Sequence, residues 1–482
     1  MNFERFKVVA WAACCSTLAL ATVDAPAAPR ANAAAEKHAR IVAYWTQERR
    51  AAAIPRDLRI DERGYGYLRR PNGALEPYGH TIAALGKPSS PQPMAKPGSE
   101  TTPPTINNRD PANGATIGAS YTFKATVTDA SGIRSVNFRV GPAGGQQRSF
   151  AAAAGANNVY SVALTGFTNG NWTWSVVAKD KANNTATSSL TSFTVDTSGG
   201  GGGGDVVPNA EYTEGGAIQN ATGRIYFEMP SNSRRTRWAG YVCSGTVVAD
   251  ATTGRSIVQT AAHCVYDDAY KAFARNVLFI PNQAGTTGSG TDLNCSNDPL
   301  GCWTPSFGVV DTDWTTRTFP DNVAWDYAYY VFGNSSHSGN GGASSLVLDS
   351  AVTPISISFA TPNFEVGNST TDRTTGLGYS YDQDPKFMYC SEDMEQLDSA
   401  NWWLPSCDLS GGSSGGPWMQ PFTNGNGSLI SVNSWGYTGS PGMAGPKLSG
   451  TSASCVFGAA KSTAFAGVPT ADGDEGVTAP GC

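Results

Sequence analysis

Charged residues are scarce in this sequence, and no stretch of it is strongly basic. Only 15% of the 482 residues are Asp, Glu, Lys or Arg, and the formal net charge is −6. A nucleic-acid-binding surface needs a basic stripe or cluster, so the composition excludes that class of function. The acidic excess is too small to indicate a particular partner. A chain of this length is expected to fold into about two to four domains.

Long apolar runs are absent after the N-terminus. A basic start is followed by an apolar run from Val8 to about Ala21 and by the small residues Ala25-Pro26-Ala27. This order predicts a signal peptide at residues 1–27. A membrane anchor is the alternative, but the run is short and ends near Asp24. We therefore expect a secreted, extracellular protein without a membrane span.

Cysteine is missing from residues 16–242, and no Cys-x-x-Cys pair occurs anywhere. This argues against zinc ribbons and thioredoxin-type redox sites. Two of the ten cysteines lie in the predicted signal peptide. The other eight lie in the second half of the chain, and an even number in an exported protein predicts disulfides. Proximity in the sequence predicts the pairs Cys243–Cys264, Cys295–Cys302, Cys390–Cys407 and Cys455–Cys482.

Residues 105–197 alternate between apolar and polar side chains, and turn residues separate the runs. Tyr121–Thr128, Val136–Val140 and Trp172–Val176 follow this period of two. The pattern predicts a β-sandwich, and the segment resembles immunoglobulin-like and fibronectin-III-like modules. It has no cysteine, so packing alone must hold its core. A Gly-rich linker is predicted after it, at residues 198–214.

Two tryptophans of the sandwich have two interpretations. We expect Trp172 and Trp174 to be core or rim residues. The alternative is a sugar-binding platform, and a cell-surface or matrix ligand for the sandwich stays open. The sequence indicates no oligomeric state.

The last part of the chain, residues 215–482, has many short β-like runs and almost no helical periodicity. This density predicts an all-β fold with two packed β-barrels. The runs include Ile225–Phe227, Ser256–Thr260, Asn276–Ile280, Tyr327–Phe332, Ser345–Leu348 and Ser428–Val432.

A Gly/Ser-rich stretch from Cys407 to Trp418 is a poor helix and a poor strand. Glycine permits backbone angles that other residues avoid, so the stretch suits a tight loop that aims several N–H groups at one point. Acyl transfer needs a hydroxyl nucleophile and such donors. We predict Ser414 as the nucleophile and the N–H groups of Gly412 and Ser414 as the oxyanion hole. A Gly/Ser-rich surface loop is the alternative.

Two further motifs precede this loop in the sequence. Cys243-Ser244-Gly245-Thr246 is followed by Thr260-Ala261-Ala262-His263-Cys264, which resembles the chymotrypsin/trypsin family of serine proteases. The resemblance implies a double β-barrel, a Cys243–Cys264 bridge and His263 as the general base.

The remaining family motifs lie on either side of the nucleophile. Asp326, in an Asp-x-Ala segment, matches the carboxylate that orients the histidine, with Asp321 as the alternative. The segment Ser434-Trp435-Gly436 matches the edge that pairs with substrate backbone and forms a wall of the main pocket. The resemblance therefore implies a secreted serine endopeptidase that acts on proteins or peptides through an acyl-enzyme. No metal or organic cofactor is expected.

The chain departs from trypsin directly before the predicted nucleophile. Ser413 replaces the Asp that precedes the nucleophile, so activation by a new N-terminal amine is not expected. The pattern is closer to bacterial glutamyl-endopeptidase-like relatives, but Asn433 stands where their specificity histidine would be. Asp408 lies six residues before Ser414, the position of trypsin's pocket carboxylate, and therefore predicts cleavage beside Arg or Lys.

Residues 28–104 are predicted to be a pro-region followed by a linker. Arg40–Ala53 favours a short amphipathic helix that ends before Pro55. Its Trp-Thr-x-Glu-Arg pattern resembles the pro-regions of exported bacterial serine proteases, and residues 87–104 are rich in Pro and Ser. We expect a precursor whose pro-region occupies or delays the enzyme. A disordered spacer is the alternative.

Two other functions compete with an active protease. The first is a catalytically inactive protease-fold protein that serves in binding or adhesion. The second is an esterase, because Gly412-Ser413-Ser414-Gly415-Gly416 also satisfies Gly-x-Ser-x-Gly. An α/β-hydrolase orders its residues Ser, acid, His, whereas here His263 precedes the serine, so this alternative is disfavoured.

Overall fold

The computed structural model describes residues 28–61, 63–79, 101–118, 120–155, 158–165, 167–195, 206–286, 295–333, 339–340, 346–364, 373–439 and 441–482. The predicted signal peptide, the glycine run at 199–204 and much of the Pro/Ser-rich linker lie outside these residues. None of the helices in the described ranges is long and apolar enough to cross a membrane.

The N-terminal segment, residues 28–79, packs against the rest of the chain. Its elements are α1 (Ala28–Tyr44), α2 (Gln47–Ala51), β1 (Ile54–Pro55), β2 (Asp57–Ile60), β3 (Gly66–Arg69) and β4 (Leu75–Pro77). The predicted single helix is two helices, because the Thr46 side chain caps α2 by accepting a hydrogen bond from the N–H of Arg49. Trp45, the residue directly after α1, is buried, and its Nε1 donates to the carbonyl of Asn276 at 2.6 Å.

The second module is a sandwich of two sheets. Its strands are β5 (Thr105–Asp110), β6 (Ala115–Ile117), β7 (Ser120–Thr128), β8 (Ile133–Pro142), β9 (Arg148–Ala151), β10 (Ala153–Ala154), β11 (Val159–Thr165), β12 (Gly170–Asp180), β13 (Thr185–Thr187) and β14 (Thr191–Val195). One sheet has the order β10-β11-β7-β5, and the other has the order β6-β14-β12-β8-β9 with β13 beside β12. Apolar side chains from alternate positions of both sheets meet between them, as expected for strands with one buried face.

Aromatic rings fill the sandwich core. Trp174 is completely buried against Phe123 and Phe138, and its Nε1 donates to the carbonyl of Pro111 at 3.1 Å. Trp172 is half-buried at the rim, and its Nε1 donates to the carbonyl of Thr168 at 2.9 Å. Both indole N–H groups therefore have protein partners, and Trp174 has no surface to offer a sugar.

The first barrel is built on a ten-stranded sheet with the order β25-β22-β21-β16-β17-β18-β24-β23-β35, to which β1 is added beside β17. The strands of this sheet from the C-terminal half are β16 (Thr222–Pro230), β17 (Trp238–Val248), β18 (Arg255–Thr260), β21 (Arg275–Pro281), β22 (Cys302–Trp303), β23 (Phe307–Asp311), β24 (Ala328–Gly333), β25 (Gly339–Asn340) and β35 (Gly476–Ala479). A small hairpin of β19 (Tyr266–Asp267) and β20 (Ala272–Phe273) lies after the histidine motif.

The second barrel is built on two sheets, one with the order β15-β28-β27-β31-β32-β26 and one with the order β29-β30-β34-β33. The strands are β15 (Val207–Glu211), β26 (Ser356–Ile357), β27 (Arg373–Gly378), β28 (Met388–Asp393), β29 (Glu395–Gln396), β30 (Asn401–Leu404), β31 (Pro417–Thr423), β32 (Asn426–Val432), β33 (Trp435–Tyr437) and β34 (Met443–Pro446). The N-terminal segment continues the second of these sheets, because β2 pairs with β33.

The short helices of the barrel domain connect and cover the two barrels. They are α3 (Gly216–Ala221), α4 (Thr312–Thr316), α5 (Leu348–Ala351) and α6 (Ala453–Ser462). The fold is all-β: a β-sandwich module precedes a double β-barrel domain of the chymotrypsin type. Four disulfides join Cys243–Cys264, Cys295–Cys302, Cys390–Cys407 and Cys455–Cys482.

Two sequence expectations about local structure were wrong. The run Ser345–Leu348 does not form a strand in its described part; Leu348 instead begins α5. The predicted linker at 198–214 is too long at its C-terminal end, because Val207–Glu211 pairs with β28 of the second barrel.

Candidate active site

His263 and Asp326 form a completely buried pair at the edge of the first barrel. His263 lies in a 3₁₀ turn, Ala262–Cys264, directly after β18, and Asp326 lies just before β24, the partner of β18. Pairing of these strands brings the two residues together across 63 positions. The Nδ1 of His263 is 2.7 Å from Oδ2 of Asp326, and the backbone N–H of His263 donates to Oδ1 at 2.8 Å.

Asp326 receives a third hydrogen bond from the second barrel. The hydroxyl of Ser434, directly before β33, donates to Oδ2. A buried carboxylate is costly unless several donors satisfy it, and the three donors here do so. Asp321, the alternative from the sequence, is exposed and lies in the turn before this site.

The loop that carries Ser414 is fastened to the first barrel through Ser244. The N–H of Ser244 donates to the carbonyl of Ser414 at 2.7 Å, and its hydroxyl donates to the carbonyl of Gly412 at 2.9 Å. Cys264 places its Sγ 3.8 Å from the same Ser414 carbonyl. The residue after His263 therefore contacts the backbone of Ser414.

Two glycines of this loop have positive φ angles that favour glycine. Gly412 has a φ of +94° and Gly415 has a φ of +80°. A Cβ on Gly415 would also collide with Thr260 Oγ1 and the Ser244 carbonyl. The Gly-Gly-Ser-Ser-Gly-Gly pattern is thus required both by backbone angle and by close approach to the first barrel.

Asn433 holds the loop from the second barrel. This buried residue stands where a glutamyl-specific relative would have histidine. Its Nδ2 donates to the carbonyls of Leu377 at 2.8 Å and Ser413 at 3.0 Å, and its Oδ1 accepts from Trp418 Nε1 at 2.8 Å. All its bonds are internal, so it positions the loop and does not face a substrate.

The N–H groups of Gly412 and Ser414 have no acceptor among the residues that the structure describes. Neighbouring N–H groups are satisfied: Gly415 donates to Asn433 and Gly416 donates to Ser413. Ser413 itself is buried, and its hydroxyl donates to the carbonyl of Ser410 at 2.8 Å. The loop therefore keeps two adjacent donors free beside the hydroxyl of Ser414, as an oxyanion hole requires.

The hydroxyl of Ser414 does not bond to His263. It donates to the carbonyl oxygen of Arg56, in the N-terminal segment, at 2.8 Å. Nε2 of His263 is buried and has no hydrogen-bond partner in the described chain. Of the predicted triad, the structure joins His263 to Asp326 directly, whereas Ser414 lies nearby with its proton directed to Arg56.

The N-terminal segment runs through the cleft as an added strand on both sides of Ser414. Ile54 and Pro55 pair in parallel with Tyr241 and Val242 of β17. Beyond Arg56, the run Leu58–Ile60 pairs in parallel with Trp435–Tyr437 of β33. The edge Trp435-Gly436, predicted from the sequence to pair with substrate, is therefore occupied by residues of this chain.

Arg56 is completely buried in an acidic and aromatic pocket. Nη1 lies 3.2 Å from Oδ2 of Asp267, and Nη2 donates to the hydroxyl of Tyr78 at 2.6 Å. That hydroxyl in turn donates to Oδ1 of Asp268 at 2.5 Å. The guanidinium also lies 5.0 Å from the ring centre of Tyr241, within the range of a cation–π contact.

Asp57 of the segment is bound by two arginines of the same segment and lies against the loop that carries Ser414. Asp57 is buried and accepts from Nε of Arg59 and from Nε of Arg69, each at 2.7 Å. Its side chain lies against Gly411, where any Cβ would clash with it. The segment thus covers the loop as well as the hydroxyl of Ser414.

Asp408 does not occupy the position predicted for it. Its side chain is exposed, its N–H donates to the carbonyl of Pro208, and its carbonyl accepts from Asn209 Nδ2. The Cys390–Cys407 disulfide and strand β15 anchor this part of the loop. The six-residue spacing between Asp408 and Ser414 therefore does not place the Asp408 side chain where trypsin has its pocket carboxylate. An exposed carboxylate is not a pocket floor, and the Asp408 assignment was wrong in this structure.

One cluster in the described residues has the spacing of a metal site: Cys243, His263 and Cys264. Both cysteines are joined in a disulfide, so neither offers the thiolate that binds metals. The cluster is therefore the bridge that clamps the histidine turn.

Sequence reasoning missed Arg56, Asp267 and Asp268, and it treated Asn433 only as the replacement of a specificity histidine. Adjacent acids four and five residues after His263 were a signal in a chain with so few charges. Nothing local connects them to Arg56, which is 211 positions away.

Comparison with known proteins adds a family match for part of the chain. Residues 104–202, which contain the sandwich strands, match the family model described as a bacterial Ig domain. The comparison with curated proteins gives no match.

The comparison with solved structures gives matches that cover part of the chain. A thermostable serine protease, AL20, from an extremophilic microorganism is 25% identical, with 52% of this chain and 100% of that chain covered and a TM-score of 0.38. Fibronectin(III)-like modules of Clostridium thermocellum CbhA are 22% identical, with 19% and 94% covered and a TM-score of 0.16. CopC from Methylosinus trichosporium OB3b is 13% identical, with 20% and 97% covered and a TM-score of 0.18. All three TM-scores are low, so the site rests on its own geometry.

Proposed function

We propose that the chain is the latent precursor of a secreted serine endopeptidase. The observation that carries this proposal is the buried His263–Asp326 pair, which lies beside a glycine-framed serine with two free N–H donors. The four disulfides suit an oxidising compartment outside the cytoplasm. Its substrates are proteins or peptides, because the cleft already binds an extended polypeptide strand.

The hydrogen bond between His263 and Asp326 sets the tautomer of the imidazole. With its proton on Nδ1, the ring donates to Oδ2 of Asp326 and leaves Nε2 free as an acceptor. Nε2 then takes the proton of the Ser414 hydroxyl while Oγ attacks the substrate carbonyl carbon. Asp326 stabilises the imidazolium that forms, and this cation later protonates the leaving amine.

The two free N–H groups stabilise the negative oxygen of the tetrahedral intermediate. Gly412 and Ser414 donate to the oxygen that gains charge when Oγ bonds to carbon. Collapse breaks the C–N bond, releases the amine fragment and leaves the acyl group on Ser414. Water, deprotonated by Nε2, then hydrolyses this ester and regenerates the hydroxyl.

Latency follows from the way in which Arg56 meets the nucleophile. A carbonyl under attack presents its carbon to Oγ and its oxygen to the N–H donors. Arg56 instead presents its oxygen to the hydroxyl, which donates to it. The proton of Ser414 is directed away from His263 and the scissile geometry is absent, so the segment inhibits without being cleaved at that bond.

Labelling with a fluorophosphonate probe tests this function. The full-length chain is treated with a protease that cuts exposed loops until the N-terminal segment is lost, and the probe adduct is mapped by mass spectrometry. We expect labelling at Ser414, none in Ser414→Ala, and labelling retained in the matched control Ser413→Ala. Unchanged labelling in Ser414→Ala would remove this residue as the nucleophile. A chain that is never labelled after the segment is lost would favour an inactive binding protein.

A further inference from the structure

The pocket that holds the Arg56 side chain is built mainly from barrel residues that stay when the N-terminal segment leaves. Asp267 and Asp268 belong to the loop after His263, and Tyr241 belongs to β17. Only Tyr78 comes from the segment itself. We propose, on the basis of the function above, that this pocket is a substrate subsite for an arginine or lysine side chain. Asp267 is its specificity-determining residue.

The charge of the pocket requires a cationic occupant. Asp267 and Asp268 are both almost completely buried. The N–H of Tyr270 donates to Oδ1 of Asp267 at 2.7 Å, which directs Oδ2 toward the guanidinium of Arg56. Departure of Arg56 leaves that oxygen without its ionic partner. A basic side chain of a substrate restores the pair.

Loss of Tyr78 exposes a second carboxylate oxygen, Oδ1 of Asp268, to the pocket. In the precursor the hydroxyl of Tyr78 lies between Nη2 of Arg56 and Oδ1 of Asp268. Without that hydroxyl, Asp268 keeps its bonds to the N–H of Phe319 and to Nδ2 of Asn322 through Oδ2, while Oδ1 faces the pocket. Two carboxylate oxygens from adjacent residues then converge on one cavity, and the Tyr241 ring supplies an aromatic wall.

The location of the pocket specifies which substrate position it reads. The residues before Arg56 pair with Tyr241 and Val242, on the side of Ser414 opposite to Trp435 and Gly436. The N–H of Arg56 also points to the carbonyl of Val242. If the Ser434–Gly436 edge holds the acyl fragment, as the family resemblance implies, the pocket holds a residue of the leaving fragment. The preferred substrates therefore carry Arg or Lys shortly after the cleaved bond.

This assignment replaces Asp408 as the source of a basic preference. Asp408 is exposed beside Asn209, whereas Asp267 already binds a guanidinium in the cleft. Replacing Asp267 by Asn therefore tests the pocket, and replacing Asp408 by Asn is the matched control.

Kinetics on peptides that differ only in charge test the proposal. The full-length chain, activated by limited proteolysis, is given peptides with arginine or its neutral isostere citrulline in the first or second position after the cleaved bond. We expect at least a tenfold higher kcat/KM for arginine at one of these positions. That ratio should fall in Asp267→Asn, where Asp268 still supplies one carboxylate, and stay unchanged in Asp408→Asn.

The outcomes distinguish a failure of the proposed subsite from a failure of the proposed protease. Equal cleavage of the arginine and citrulline peptides by the unaltered protein overturns the subsite without needing any variant. A ratio that survives Asp267→Asn also overturns it. In both cases fluorophosphonate labelling of Ser414 in the unaltered protein still supports the protease. Absence of that labelling overturns the protease and the subsite together.

Discussion

Ser414 and Arg56, 358 positions apart in the sequence, are joined by a hydrogen bond from the serine hydroxyl to the arginine carbonyl. In the proposed mechanism, His263 accepts this proton. The side chain of the same arginine forms the buried pair with Asp267. One residue therefore bonds to the Ser414 hydroxyl with its backbone and to the Asp267 carboxylate with its side chain.

Replacing Arg56 should weaken inhibition in the intact precursor. Removing one partner of a buried ion pair costs about 3–5 kcal/mol, because the other charge stays buried and unpaired. In Arg56→Ala we expect the segment to leave the cleft more often, and the rate of fluorophosphonate labelling of the uncut chain to rise about tenfold or more.

Arg63→Ala is the matched control for that measurement. Arg63 lies in the same segment, but its side chain is 70% exposed and contacts the nearby residues Asp61 and Tyr65 of that segment. We expect its labelling rate to equal that of the unaltered precursor. Equal rates for Arg56→Ala and Arg63→Ala would show that Arg56 does not hold the segment in place.

Replacing Asp326 by Asn should abolish most turnover while the fold is kept. The amide would donate to Nδ1 of His263 and favour the tautomer with its proton on Nε2, which cannot accept from Ser414. In the activated Asp326→Asn enzyme we expect kcat to fall on the order of 10⁴-fold. Asp321→Asn, at the exposed alternative, should keep its kcat, and a large loss there would assign the role to Asp321.

Docking of α1 should weaken as the pH falls. Burial lowers the pKa of His38 to about 4, from an ordinary value of 6.5, and its Nδ1 lies 3.1 Å from Oγ1 of Thr304. The docked state therefore resists protonation. Its contribution is complete above pH 6.5 and is lost as the pH falls toward 4, by up to about 3 kcal/mol.

Hydrogen exchange of α1, corrected for intrinsic rates, measures this effect. We expect protection of Ala28–Tyr44 to fall between pH 7 and pH 4.5 in the unaltered chain. His38→Gln carries no titrating group, so its protection should vary much less over this interval. The same slope in both proteins would exclude His38 as the cause.

Gly415→Ala should disrupt the nucleophile loop more than backbone strain alone explains. Gly254 has a similar φ of +87°, but a Cβ there would meet nothing, whereas a Cβ on Gly415 collides with the Ser244 carbonyl. We expect Gly254→Ala to lower the free energy of unfolding by about 1–2 kcal/mol. Gly415→Ala should cost more and should also abolish labelling of Ser414, as measured by urea unfolding and by the probe. Equal costs for the two variants would contradict the close approach.

The sequence was most informative where neighbouring residues alone determine the local structure. The strand alternation of Tyr121–Thr128 predicts one buried face, and the structure has that strand as β7. The glycines around Ser414 predict a loop with unusual backbone angles, and Gly412 and Gly415 have positive φ. The roles proposed for His263, Asp326 and Ser414 stay predictions until they are measured.

Long-range pairing was not predictable in the same way. Strand β2 is only four residues long, and nothing in Asp57–Ile60 indicates that it lies beside Trp435–Tyr437. Asp408 has the trypsin spacing, yet a disulfide and strand β15 turn it to the surface. The burial of Arg56 depends on partners from two other segments, so only the folded chain reveals it.

The shared sheet between β2 and β33 bears on how this precursor is switched on. A single cut after Tyr78 changes a tethered inhibitor into a free one, but the strand pairing and the Arg56 anchor stay intact. The severed fragment can therefore rebind in trans at high protein concentration, and the newly bare edge at Trp435–Tyr437 attracts any extended peptide. Lasting activity then requires that the fragment is diluted or digested. Because each liberated enzyme digests the fragments bound to its neighbours, the rate of proteolysis should rise with time after the first cuts.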